Sequence, residues 1–219
     1  MICGAIFDID GVLLDSMPIW RDLGSRYLKR HNIRPKDGLD KILFSMSMEQ
    51  GAEYLKREYC NNFSASDILG EIKDMLKDFY YCEVDAKSKA AELLKFLKDR
   101  DIRIAAATSS PRGHVEAALE RTKLLTFISK IFTTSEIGES KHSPLIYNTA
   151  AEYLGTPPER TFVFEDSLYA LKTAADAGFC AVGVYDRYGE SDKDGVRTCG
   201  RAYLKRLDDF DRLLPYITE

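Results

Sequence analysis

Short apolar runs recur along this chain, and between them apolar positions return every three or four residues. The runs at 102–108 (IRIAAAT), 130–134 (KIFTT), 161–165 (TFVFE) and 181–185 (AVGVY) predict strands. Helical periodicity fills 86–100, 113–123, 145–154 and 168–177. Strict alternation of the two predicts an α/β fold, a Rossmann-like parallel sheet core with helices on both faces. The nearly continuous apolar character of the strands agrees, because such strands are buried on both sides.

One further strand, at 2–8, belongs to the set, yet no strand pattern follows it for roughly 90 residues, well beyond an ordinary crossover. The interval is helical by period. Trp20, Leu23, Tyr27 and Leu28 share one face, and Ile68, Leu69, Ile72, Met75, Leu76, Phe79 and Tyr80 another. Ser47 and Gln50 have the spacing of a capping box opening a helix through Tyr59. The expected organisation is a core of residues 1–16 and 84–219 with an inserted helical domain at 17–83. The polar stretch 188–200 is expected to be an exposed loop before a last short strand.

In an open parallel sheet, ligands bind beyond the carboxyl ends of the strands. That rule selects Asp8 and Asp10 after the first strand, Thr108 and Ser109 after the second, and Glu165 and Asp166 after the fourth. Lys141 follows the third by a loop. Asp8 and Asp10, two apart in an extended chain, would point together. With Glu165 and Asp166 they supply the hard oxygen ligands that magnesium prefers, and a cation would offset their mutual repulsion. Ser110-Pro111, Ser143-Pro144 and Asp166-Ser167 each read as a helix start, with Ser110 as an N-cap, and helix starts favour anions. The set describes a phosphate pocket with a metal at its floor. Of the three histidines, His31 and His114 read as surface residues, whereas His142, beside Lys141, has a view of the site.

Composition narrows the partners. The 219 residues carry a net charge of −4 with acids and bases mixed, so the chain has no basic stripe for nucleic acid. The N-terminal apolar run is too short to span a bilayer, and Asp8, Asp10 and Asp15 interrupt it. Five cysteines without a C-x-x-C pair suggest reduced thiols in a cytoplasmic protein. A monomer acting on a small-molecule phosphate ester is expected, with no nucleic-acid or membrane partner.

Four ordered motifs, FDIDGVLLDS (Phe7–Ser16), AATSS (Ala106–Ser110), Lys141 and VFEDSLYALKTAADAG (Val163–Gly178), span essentially the whole chain. In these it resembles the haloacid dehalogenase-like hydrolase superfamily. The helical insert looks like the small cap domain of the branch that includes β-phosphoglucomutases and many small-molecule phosphatases. The resemblance implies that Asp8 is a nucleophile forming an aspartyl-phosphate and that Asp10 is the general acid and then the general base. It implies magnesium held by Asp8, the Asp10 backbone carbonyl and Asp166, with Glu165 ligating directly or through water. Thr108, the Ser109 backbone and Lys141 would bind the phosphoryl oxygens. Two positions depart from the family pattern: Leu145 stands where an aspartate is usual, and Tyr169, where a glycine is common, would crowd a helix start.

The resemblance leaves several reactions to weigh. β-Phosphoglucomutases carry a histidine early in the first cap helix and an arginine in a cap loop. Here the positions are Trp20 and the loop Phe44–Met48, which has no arginine, so phosphatase is preferred over mutase. Trp20, Ser45 and Ser47 are the cap positions expected to face substrate. Dehalogenation leaves Asp10 without a task, and phosphonate cleavage would need a cap lysine, which nothing marks Lys41 or Lys56 to be. A non-catalytic phosphate-binding regulator would not need the acid–base carboxylate.

Overall fold

The computed structural model describes residues 1–44, 46–189 and 192–217, with the backbone alone at Phe44. Two compact units emerge, one formed by Met1–Asp15 with Val84–Glu219 and one by Ser16–Glu83.

Among the described residues the first unit holds six parallel strands: β1 (Gly4–Phe7), β2 (Arg103–Thr108), β3 (Ile131–Thr133), β4 (Thr161–Glu165), β5 (Cys180–Val184) and β6 (Ala202–Leu204). Their spatial order is β3-β2-β1-β4-β5-β6. β1 therefore lies inside the sheet, in register with Arg103–Ala106 on one side and Thr161–Phe164 on the other. Strand order reverses direction between β1 and β4, and their carboxyl ends flank the crevice where such sheets bind ligands.

Alternation along each strand divides the core in two. On one face Ile6, Ala105, Ala107, Val163 and Ala181 pack against Ile146, Tyr147, Ala150, Leu154, Leu171 and Ala174. On the other, Phe7 stacks on Phe164 at 4.2 Å between ring centroids, and Tyr216 meets Phe162 edge-on.

Among the described residues of the second unit, four α-helices follow one another: α1 (Met17–Arg30), α2 (Leu39–Phe44), α3 (Met48–Glu58) and α4 (Ala65–Asp78). Tyr27, Leu28, Leu55, Ile68 and Ile72 form its core. The capping box of α3 is present, with Ser47 accepting from the Gln50 N–H and Gln50 reaching back to the Ser47 N–H. The periodicity continuing through Phe79 and Tyr80 is realised as a π-turn over Phe79–Glu83 rather than as α-helix.

The first unit continues with α5 (Ala90–Lys98), α6 (Arg112–Arg121), α7 (Thr134–Ile137), α8 (Leu145–Leu154), α9 (Leu168–Asp176), α10 (Lys193–Cys199) and α11 (Leu214–Ile217). Two expectations are corrected. The stretch 188–200 contains α10, whose start is made by Asp192 accepting the Gly195 N–H at 2.7 Å. The cap of α6 is Pro111 rather than Ser110, whose side chain is used elsewhere. All five cysteines are free thiols. Among the described residues no helix is long and apolar enough to cross a membrane.

The chain segments that leave for and return from residues 16–83 are paired with each other. The Asp15 N–H donates to Asp85 O, the Lys87 N–H to Leu13 O, and Leu14 bridges Ala86 antiparallel. Just before them Gly11, at φ 75°, makes a turn that an L side chain would strain.

Candidate active site

β1 ends at Phe7, one residue short of the expected strand end, so Asp8 and Asp10 both lie just beyond it. Each is held separately beyond the strand. Asp8 Oδ1 lies 2.6 Å from Lys141 Nζ, and Asp10 Oδ2 accepts from Ser110 Oγ at 2.6 Å. Ser110 also donates its backbone N–H to Thr108 Oγ1 at 3.0 Å, which ties the end of β2 to the loop after β1. Ser109, between them, is exposed.

Lys141 reaches in from the loop before α8 and is only 2% exposed. Its ammonium sits between Asp8 and Glu165, 2.8 Å from Glu165 Oε1. The same oxygen accepts from Tyr147 Oη at 2.7 Å, while Oε2, equally buried, has no hydrogen-bond partner among the described residues. Asp166 follows at once, 6% exposed. One oxygen each from Asp8, Glu165 and Asp166 comes within 4.8 Å of the others.

Burial, then Glu165, push the Asp8 carboxyl well above the usual carboxylate range, against the pull of Lys141. The same two causes push Asp166 up to about 7. Burial works against the Lys141 ammonium, but Asp8 and Glu165 outweigh it and hold its pKa above the ordinary lysine value. Three carboxyl groups around one ammonium, in a site nearly closed to water, would leave two negative charges uncompensated if all were ionised, which is why burial and mutual repulsion push Asp8 and Asp166 up. A divalent cation fits that deficit. An all-oxygen donor set and the orphaned Glu165 Oε2 suit magnesium in particular.

Of the expected site residues, the structure thus gathers Asp8, Lys141, Glu165 and Asp166 directly, and Asp10 and Thr108 through Ser110. Trp20 and Ser47 belong to the other unit, where Ser47 Oγ also donates to Glu49 at 3.0 Å. Ser45 lies outside the described residues. Tyr147 was not singled out by the sequence pattern, which places it on the apolar face of a helix; its hydroxyl, however, needs a buried partner, and Glu165 is that partner.

The two departures from the family pattern are both accommodated. Tyr169 does not prevent α9 from starting at Leu168, and its ring stacks on that of His142, 4.4 Å between centroids. At Leu145, Ser143 Oγ accepts the backbone N–H at 3.3 Å and serves the helix start. His31 is also more than a surface residue, since its Nε2 lies 2.6 Å from Glu71.

The sequence model of the haloacid dehalogenase-like hydrolase family matches residues 5–184, which contain every element of this site. The chain belongs to that family. Among its relatives is validoxylamine A 7'-phosphate phosphatase of Streptomyces hygroscopicus subsp. limoneus, 27% identical over 82% of this chain and 84% of that protein. The phosphorylated carbohydrates phosphatase of Thermotoga maritima is 28% identical over 79% of this chain and 80% of its own. Among solved structures, a HAD family hydrolase from Deinococcus radiodurans R1, with bound phosphate and sodium, superposes with a TM-score of 0.75 at 21% identity. The match covers 99% of this chain and 96% of that one, and it speaks for the fold.

Proposed function

We propose that this protein is a magnesium-dependent phosphatase of small phosphorylated metabolites, such as sugar phosphates, working through an aspartyl-phosphate. The observation that carries the reading is Lys141, buried between Asp8 and Glu165 beside Asp166, at the carboxyl ends of β1 and β4. Such a cluster is costly to bury, and a phosphoryl group with a divalent cation gives each member a task. The names of the two curated relatives, both phosphatases of phosphorylated compounds, support the substrate class.

In this reading an Asp8 carboxylate oxygen attacks phosphorus, and the bond from phosphorus to the ester oxygen breaks. Asp10, steadied by Ser110, gives its proton to the departing oxygen. It then takes a proton from the water that attacks the aspartyl-phosphate, which frees inorganic phosphate and restores Asp8. Lys141, the Thr108 hydroxyl and the Ser109 backbone N–H bind the phosphoryl oxygens. Asp8, the Asp10 backbone carbonyl and Asp166 would hold the magnesium ion, with Glu165 ligating directly or through water. When bound, the ion supplies positive charge that offsets the charge of the phosphoryl group. Residues 17–83 serve as a cap in which Trp20, Ser45 and Ser47 select the substrate. The protein works as a cytoplasmic monomer.

The test is phosphate release from p-nitrophenyl phosphate, expected to require magnesium and to vanish in Asp8→Asn. Turnover retained by that variant overturns the covalent route. A panel of sugar phosphates then separates phosphatase from mutase, and isomer formed faster than phosphate is released would replace the proposal.

A further inference from the structure

Beside the acidic cluster lies a second ion pair, part-buried, for which the reaction above has no use. Lys87 Nζ is 3.0 Å from Asp186 Oδ2, with side chains only 17% and 3% exposed. The ammonium has two further acceptors, Tyr185 O at 2.7 Å and Gly11 O. It thereby joins three segments that meet nowhere in sequence: the turn after β1, the return from the inserted unit and the loop after β5.

Asp186 spends its other oxygen on that last loop. Oδ1 accepts the backbone N–H groups of both Tyr188 and Gly189 at 2.7 Å, and the Asp186 carbonyl accepts from Lys193 Nζ. Gly189 is thereby pressed onto Asp166, so closely that a Cβ at this position would run into Asp166 Oδ2. The contacts form one chain, from Lys87 to Asp186, to Gly189, to Asp166. At its near end Lys87 also holds the carbonyl of Gly11, next to Asp10.

We propose that Lys87 and Asp186 are positioning residues for the metal site: their ion pair clamps the 185–189 loop against Asp166 and fixes the direction in which that carboxylate meets a divalent cation. The inference rests on reading Asp8, Glu165 and Asp166 as metal ligands. Partners that orient a ligand without touching the metal typically govern affinity by about 10- to 100-fold. Lys87 and Asp186 act at that remove, and Gly189 is the backbone through which they act.

The test titrates Mn²⁺ into the metal-free full-length protein and follows free Mn²⁺ by electron paramagnetic resonance. The variants are Lys87→Met, Lys87→Arg, Asp186→Asn and Gly189→Ala, with melting curves recorded alongside. Lys87→Met, Asp186→Asn and Gly189→Ala are expected to raise the Mn²⁺ dissociation constant about tenfold or more. Lys87→Arg, which keeps the charge, should stay close to wild type. Turnover of p-nitrophenyl phosphate should recover in the weakened variants at saturating magnesium, with KM for the ester unmoved, which a general loss of structure would not produce. Gly189→Ala leaves the ion pair in place and decides the matter if the pair variants fail to fold. Unchanged Mn²⁺ affinity in folded Gly189→Ala, beside normal binding by wild type, overturns this inference alone. Wild-type protein that binds no Mn²⁺ overturns the metal site and the inference with it.

Discussion

Lys141→Met isolates the charge balance on which the site depends. Methionine keeps most of the side-chain volume and removes the ammonium, leaving Asp8 and Glu165 buried and facing each other. At 2.6 and 2.8 Å, each contact is worth about 6 kcal/mol before desolvation at an effective dielectric of about 20. Removing these groups from water cancels much of that gain, and deleting one partner of a buried pair costs about 3–5 kcal/mol in total. For a chain of this size that is a fall in melting temperature of about 10 °C. Phosphate release should drop about 10²- to 10³-fold, the usual cost of losing one group that stabilises developing charge. The assay is thermal unfolding of the metal-free protein by circular dichroism, repeated with Glu165→Gln in both backgrounds. Because Glu165 is an ion-pair partner in wild type and a like-charge neighbour of Asp8 in Lys141→Met, the same substitution should destabilise the first and stabilise the second. A melting temperature within about 2 °C of wild type, or a Glu165→Gln effect of the same sign in both backgrounds, refutes the reasoning.

Ser110→Ala removes the hydroxyl that holds Asp10; a side-chain hydrogen bond is worth about 1 kcal/mol, so kcat should fall about fivefold with KM nearly unchanged. Arg112 contacts Glu136 at 2.5 Å through both Nε and an Nη atom and holds that carboxyl down at about 2. Since a depressed carboxylate stabilises fully above its ordinary value and stops doing so as pH falls through its folded one, Glu136→Gln should matter at pH 7 and cease to matter in strong acid. With both side chains about a third or more exposed, the neutral-pH cost is about 0.5–1 kcal/mol, read from urea titrations across pH. Lys123 stands at φ 62° just past α6, where its N–H donates to Glu120 O and that of Leu124 to Leu119 O. Lys123→Gly suits that left-handed position and should raise stability by about 0.5–1 kcal/mol in the same titrations.

What could be read in advance divides along the range of the interactions involved. The strand at 161–165 and the helix at 145–154 fall where their patterns put them, because an apolar run and an apolar face are local properties. The rim of the candidate site could be marked out for the same reason, as the residues that follow strand ends. α10 was missed because it is short, polar and anchored by the single buried Val196, so it has almost no apolar face to detect. The partners that hold the site were hidden by distance along the chain. Lys87 and Asp186 are 99 residues apart, Ser110 and Asp10 are 100 apart, and no periodicity couples such positions. His142 and Tyr169 looked like separate irregularities and prove to be one stacked pair.

The placement of β1 inside the sheet has a consequence for the growing chain. Its two neighbours begin only at Arg103 and Thr161, and synthesis proceeds at about 5–20 residues per second. The strand therefore leaves the ribosome on the order of ten seconds before its second edge can be covered. An apolar strand with open edges is a template for wrong pairing with other chains. Asp8, Asp10 and Asp15 follow this run directly, and like charges so placed repel a second copy. The carboxylates just after β1 are thus placed where gatekeeper residues protect an exposed strand in the nascent polypeptide.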